Sequence, residues 1–223
     1  VGVSIGYRLT DEAHWPSQIH DCKAAIRWIR ANADKHGLDP DRIAVFGSSA
    51  GGMLVAMLGV SQNVAGLEGE VGPHTDQSSK VRCVIDFFGP TELLTMNDHP
   101  GKMDHNAPDS PESKLVGGTL QETVDVAKSA SPITHVTADD APILIVHGTE
   151  DQLVPYAQSV DFEKKLEAAG VSATLITVDE GGHGQGFGAK VNEIVRLFLD
   201  QQLLGKEIAI GDIVIGAQAP VRN

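Results

Sequence analysis

Residues 43–60 read IAVFGSSAGGMLVAMLGV, and their reading decides the fold. A short apolar run ends at a Gly47-x-Ser49-x-Gly51 pattern, and a second apolar run opens at Met53. The first run has the length of a buried parallel strand, and residues 53–60 are apolar on all sides, as a buried helix is. Strand, sharp turn and helix form the setting in which the serine of G-x-S-x-G becomes a nucleophile. So tight a turn strains the serine backbone, and it predicts that Gly47 and Gly51 lack side chains because strand and helix leave no room for them. The Ser49 hydroxyl is then pushed out of the sheet. The backbone N–H of Ala50, at the helix N-terminus, points to where a carbonyl oxygen would sit and is the candidate oxyanion-hole donor. The bare pattern also occurs at turns kept for packing alone; the two flanking runs favour the catalytic reading.

Working outward, residues 1–9 (VGVSIGYRL) predict a strand leading into a loop at Thr10-Asp11-Glu12. Pro16-Ser17 opens a helix in which Ile19, Cys22, Ile26 and Ile29 form one apolar stripe, with Lys23, Arg27 and Arg30 on other faces and Gly37 as its stop. Beyond the nucleophile helix, residues 61–80 read as a connecting loop and residues 81–88 (VRCVIDFF) as a strand stopped by Gly89-Pro90. Residues 91–140 carry helical patches without a strong period and read as a cap over the site. Residues 142–148 (PILIVHG) predict a strand and residues 156–169 a helix burying Phe162, Leu166 and Ala169. Residues 172–178 (SATLITV) predict another strand, residues 179–188 a glycine-rich loop, and Val191, Ile194, Val195 and Phe198 a last helix closed by Gly205. This alternation predicts an α/β fold, a mostly parallel sheet flanked by helices. Residues 1–205 are one domain with an insertion at about 91–140, and residues 206–223 are a tail. In the tail, IAIGDIVI (residues 208–215) suggests two short strands about a Gly-Asp turn that could cover a sheet edge, set against a flexible extension.

A chain of 223 residues can build a full core, and 41% hydrophobic with 21% charged residues is ordinary globular composition. A formal net charge of -13 speaks against nucleic acid or an anionic membrane as partner. Aromatic residues at 4% speak against a broad platform for stacking on sugar rings. The two cysteines, Cys22 and Cys83, set no disulfide framework or metal-ligand spacing and read as buried free thiols. Asp104, Asn106 and Asp109 match no calcium loop and are interrupted by Pro108, so they read as solvated surface, with His99 and His105 exposed beside them. No cofactor is called for. The chain opens on Val1 inside an apolar run, which reads as a natural start lost together with any signal peptide.

A serine needs a base in hydrogen-bond reach and a carboxylate to hold that base in its tautomer. Reactive groups in open α/β sheets gather beyond the carboxyl ends of the strands. Two loops qualify, residues 149–155 after PILIVHG and residues 181–184 (GGHG) after SATLITV. Of nine histidines, His183 alone lies in a glycine-flanked loop after the last predicted strand and is taken as the base; His147 reads as a buried structural group and His20 as helical. Asp151 is taken as the acid, with Glu150 and Asp179 as competitors. The chain order Ser49, Asp151, His183 is that of one serine-hydrolase fold among several.

With these residues in place, the chain resembles the α/β-hydrolase esterase and lipase family, in particular bacterial carboxylesterases related to acetyl and feruloyl esterases. The matching stretches are YRL (7–9), DCKAAIRWIRANADKHGLDPDRIAVFGSSAGG (21–52), FFGPTELL (87–94), HGTEDQLVP (147–155) and GGHG (181–184), spread over about four fifths of the chain. The resemblance implies a serine hydrolase of small or medium acyl esters, acetyl or carbohydrate-linked such as feruloyl, working through an acyl-enzyme. It implies a small-molecule partner and leaves a homodimer open. The departure is at the N-terminus: family members carry three strands, a helix and an HGG-type oxyanion loop before the segment resembling residues 1–9, and no HGG occurs here. In the family sheet the third strand lies between the counterparts of residues 1–9 and 43–46, so its loss predicts a gap. Two other readings stand beside the esterase: a peptidase of the prolyl oligopeptidase type, and a truncated hydrolase fold kept as a binding module.

Overall fold

Five strands follow one another across a single sheet in chain order, each parallel to its neighbour: β1 (Ala44–Ser48), β2 (Cys83–Phe87), β3 (Ile143–Gly148), β4 (Ala173–Asp179) and β5 (Ile213–Gly216). The computed structural model describes residues 1–62, 64–99, 101–207 and 213–216. Parallel neighbours need crossovers. They are α3 (Ala50–Val60), residues 91–140, α6 (Ala157–Ala168) and α7 (Ala189–Leu204) in turn. This is the predicted α/β fold.

The central strand β3 is buried at every position because both faces of the sheet are covered, which is why its sequence is a continuous apolar run. Val45, Val84, Ile143, Ile145 and Leu175 meet α1 (Ser17–Ala31), α3 and α6 on one face, while Ile85, Leu144, Val146, Ile176 and Val178 meet Val191, Ile194 and Phe198 of α7 on the other. All of α3 from Gly52 to Val60 is buried, so this helix has no polar face. Cys22 and Cys83 are buried free thiols, each pushed up to about 12 by burial.

Of the predicted stripe in α1, Ile19, Cys22 and Ile26 are buried and Ile29 is partly buried, and α1 ends at Ala31; a short α2 (Ala33–His36) follows before Gly37, in the left-handed conformation at φ 64°, stops it. Lys23 and Arg27 are on other faces of α1 yet are 1% and 2% exposed, because residues 61–80 fold over them. Lys23 Nζ donates to Ser61 O and Glu68 Oε1, both at 2.6 Å, and Arg27 donates to the carbonyls of Glu68 and Val71. A helical period cannot reveal this clamp, since its partners come from a distant loop.

Residues 91–140 contain a 3₁₀ turn at Leu93–Asp98, α4 (Pro111–Val116), α5 (Val124–Ser129) and a second 3₁₀ turn at Pro132–His135. Leu93, Val116, Leu120, Ala127 and Ala130 enter the core on the α1 and α3 face, and Trp15 is tied to Leu115 O and Ser129 Oγ. The predicted exposure of His105 is corrected: it is 3% exposed, its Nδ1 3.0 Å from Glu112 Oε2, because α4 folds back over the preceding turn. His99 is exposed.

The predicted strand at residues 1–9 does not form. A strand needs a neighbour for its N–H and C=O groups. Here the segment is pinned by Arg8, whose N–H and guanidinium bond Asp21, and it lies across a groove of about 1170 Å³ from β1. The groove is lined by residues 1–5 and Tyr7 on one side and 42–47 on the other, and leaves Phe46 59% exposed. This is the predicted gap. At the opposite edge Ile213–Gly216 pairs in parallel with residues 176–179 of β4; residues 208–212, with the predicted Gly-Asp turn, lie outside the described residues.

Candidate active site

Ser49 stands between the end of β1 and the first residue of α3 with φ 54° and ψ -122°, a strained conformation for a residue with a side chain. Its N–H donates to Phe87 O at 2.9 Å and its carbonyl accepts Met53 N–H at 3.0 Å, so sheet and helix both hold the turn. The expected crowding is present at Gly47, where a Cβ would lie 2.1 Å from Gly51 O. It is absent at Gly51, whose Cβ would meet nothing within 4 Å; Gly52 is the second crowded position, at 2.4 Å from Asp86 Oδ1 and 2.9 Å from Gly89 Cα. The third glycine therefore serves the close approach of helix to sheet, while the side of the turn at Gly51 opens on the groove. Ala50 is the first residue of α3, so its N–H has no acceptor within the helix.

Asp151, in the loop after β3, is buried. Its Oδ1 accepts the N–H groups of Leu153 and Val154 at 2.8 and 3.0 Å, and its Oδ2 lies 2.7 Å from His183 Nδ1 and 3.2 Å from His147 Nε2. Burial alone would raise its pKa; the bonds from the two histidines and two backbone amides outweigh it and hold the carboxyl far below the usual range. The competitors Glu150 and Asp179 are exposed. His183 lies in the loop after β4, as expected. Gly148 lets that loop cross the end of β3: a Cβ there would sit 2.2 Å from Gly181 O, and Glu150 N–H donates to the same oxygen at 2.8 Å. The Ser49 hydroxyl has no hydrogen-bond partner among the described residues.

Sequence reasoning missed two groups here. Phe88, at φ 44°, places its ring 4.4 Å from the His183 ring and so forms a floor for it. Asp86, on β2 beneath Gly52 and Gly89, is wholly buried; its Oδ1 accepts Gly89 N–H at 2.9 Å and its Oδ2 has no partner among the described residues. A single aspartate inside an apolar run carries no signal that one oxygen of its carboxyl will be left without a partner.

Burial pushes Asp86 up to about 7, opposed by the Gly89 bond. The folded pKa is above the unfolded one, so between about pH 4 and 7 the unfolded chain has lost the proton that the native state keeps. Stability from this group is complete below that window, falls as pH rises through it, and levels off above it. Raising the carboxyl from its ordinary 3.8 to about 7 corresponds to at most about 4 kcal/mol. Asp86→Asn, which keeps the acceptor for Gly89, is expected to flatten this decline in urea unfolding between pH 4 and 8; a variant with the wild-type pH slope would show that Asp86 does not cause it.

A parallel sheet with a strained serine between β1 and its helix, an aspartate after β3 and a histidine bonded to it after β4 defines the α/β-hydrolase fold. The BD-FAE family model matches residues 1–166, and the chain belongs to that family. Among curated relatives, Esterase LipC of Mycobacterium tuberculosis is 35% identical over 185 residues, covering 82% of this chain and 45% of the relative. The chain thus spans less than half of LipC, and 37% of the probable carboxylic ester hydrolase LipM of the same organism. Among solved structures, a truncated carbohydrate esterase from gut microbiota superposes with a TM-score of 0.84 at 39% identity, covering 90% of this chain and 73% of that one. A butyrate-bound thermophilic esterase, Est2 of Thermogutta terrifontis, gives 0.71 at 29% identity, with 91% and 73% covered.

Proposed function

We propose that this chain carries the catalytic centre of a serine carboxylic-ester hydrolase that works through an acyl-enzyme. The observation that carries the reading is the 2.7 Å contact between Asp151 and His183 at the same end of the sheet as the strained Ser49 turn. In this reading Ser49 Oγ attacks the ester carbonyl and its proton passes to His183 Nε2. Asp151, bonded to Nδ1, stabilises the imidazolium, and the Ala50 N–H donates to the oxyanion. His183 then returns the proton to the departing alcohol, and water repeats the sequence on the acyl-enzyme.

The substrates are small or medium acyl esters, acetyl first and carbohydrate-linked esters next. Support comes from the relatives, one of which is a carbohydrate esterase. Residues 1–205 act as one domain, and the 91–140 insertion shapes the acyl pocket; its support is that Lys102 N–H donates to Gln152 O in the acid loop at 3.0 Å. A second reading, a binding module without turnover, is favoured by one observation, the unpaired edge of β1 beside the serine turn.

Organophosphonate labelling, run beside acetyl, butyryl and feruloyl esters and a proline-containing amide, separates the readings. Labelling at Ser49 with turnover of the esters and not the amide is expected. Absence of labelling would favour the binding module, and cleavage of the amide the peptidase.

A further inference from the structure

His147 lies at the end of β3 with no exposed surface, in direct contact with the acid and remote from the solvent that a base or nucleophile needs. Its Nε2 is 3.0 Å from Val154 O and 3.2 Å from Asp151 Oδ2. A carbonyl and a carboxylate can only accept, so Nε2 carries the hydrogen and donates to both. In the neutral imidazole Nδ1 is then an acceptor, and the Ser159 hydroxyl of α6, 2.7 Å away, donates to it. The ring plane is held edge-on by Tyr156 and Phe88, at 5.7 and 6.3 Å between centroids.

Two imidazoles thus converge on one oxygen of Asp151, while the other oxygen is taken by the two backbone amides. We propose that His147, oriented by Ser159, is a positioning residue: it fixes Asp151 Oδ2 opposite His183 and, by donating to that oxygen, moderates the negative charge that His183 faces. The proposal rests on the reading of Asp151 and His183 as acid and base. Its chain of donors runs in one direction, Ser159 to His147 to Asp151.

Removing the His147 donor leaves more charge on Oδ2 for the His183 imidazolium. The protonated form of His183 is then favoured, and the rise of rate with pH moves upward. Other ionisable groups around the relay are Asp86 on β2, Tyr156, whose hydroxyl is bonded to Thr177, and His99, Asp161 and Lys164 around a pocket that backs the acid loop; all are unchanged in the variants below.

The experiment compares kcat and KM for an activated acetyl ester across pH 5–9 in wild type, His147→Leu, His147→Gln and Ser159→Ala. In His147→Leu, kcat is expected to fall about 10–100-fold with KM nearly unchanged, and the ascending limb to move up by about half a pH unit. His147→Gln, which can place an amide N–H near Nε2, should recover most of both, and Ser159→Ala should show a smaller shift of the same sign. An unmoved limb in His147→Leu, or equal losses in the Leu and Gln variants, would overturn the proposal, since a purely structural role predicts that. If the Leu variant does not fold, the limb in Ser159→Ala decides by the same criterion. Ser49→Ala, assayed alongside, separates the two levels: wild-type turnover there would refute the catalytic reading itself, whatever His147 does.

Discussion

Ser49→Ala is expected to lower turnover of an activated acetyl ester by about 10⁶-fold and to leave folding intact. The size follows from the loss of the hydroxyl to which the proposed mechanism assigns the acyl bond; what remains is binding and the Ala50 donor. Folding is preserved because the strained turn is held by backbone bonds, Ser49 N–H to Phe87 O and Met53 N–H to Ser49 O, which alanine keeps. Ser48→Ala, one residue away and exposed at the end of β1, should change the rate little. The check is steady-state kinetics on a preparation freed of host esterases, with the melting temperature measured in parallel. Retention of more than a few per cent of activity in Ser49→Ala would exclude Ser49 as nucleophile.

Asp151→Asn is expected to cost on the order of 10⁴-fold in kcat. The amide can donate toward His183 Nδ1 and so favours the tautomer with its hydrogen on Nε2, the wrong one for taking the serine proton. The native carboxylate also opposes the charge that His183 gains. In wild type the rate should rise with pH as His183 loses its proton, because only neutral imidazole accepts from Ser49. The Asp151 carboxyl, held far below the usual range, stays ionised throughout this rise and contributes no limb of its own near neutrality. His183→Ala should abolish the limb together with most of the rate. A wild-type profile flat between pH 5 and 8, with chemistry shown to be limiting, would contradict the assignment.

The candidate site was legible because its parts sit at the ends of short strands, where glycine is required. GSSAG and HGTED follow short apolar runs and GGHG follows the alternating run SATLITV, each of strand length, and parallel strands bring their carboxyl ends together. Asp151 was separable from Glu150 only by argument in the sequence. In the structure the two backbone amides of Leu153 and Val154 turn Asp151 inward, while Glu150 is exposed.

The succession β1, α3, β2, β3, α6, β4 and α7, the apolar faces of α1 and α7, the wholly apolar run of α3 and the loops that carry Ser49, Asp151 and His183 were legible in the sequence alone, because hydrophobic period and turn residues act over a few neighbours. The tertiary structure decided what depends on partners far along the chain. Residues 1–9 have strand composition but form no strand, since composition cannot supply a neighbour's hydrogen bonds. Lys23 looks like a surface residue and is buried, since Glu68 folds onto it from a distant loop; His105 is buried by the nearer Glu112 when α4 folds back over its turn. Gly52, and not Gly51, is the second crowded glycine of the nucleophile turn, because Asp86 approaches from the next strand. His147 passes from a buried structural group to a donor on Asp151 for the same reason: a hydrogen-bond relay is set by which atoms end within about 3 Å of each other, and that distance is fixed only when β3, its loop and α6 have packed.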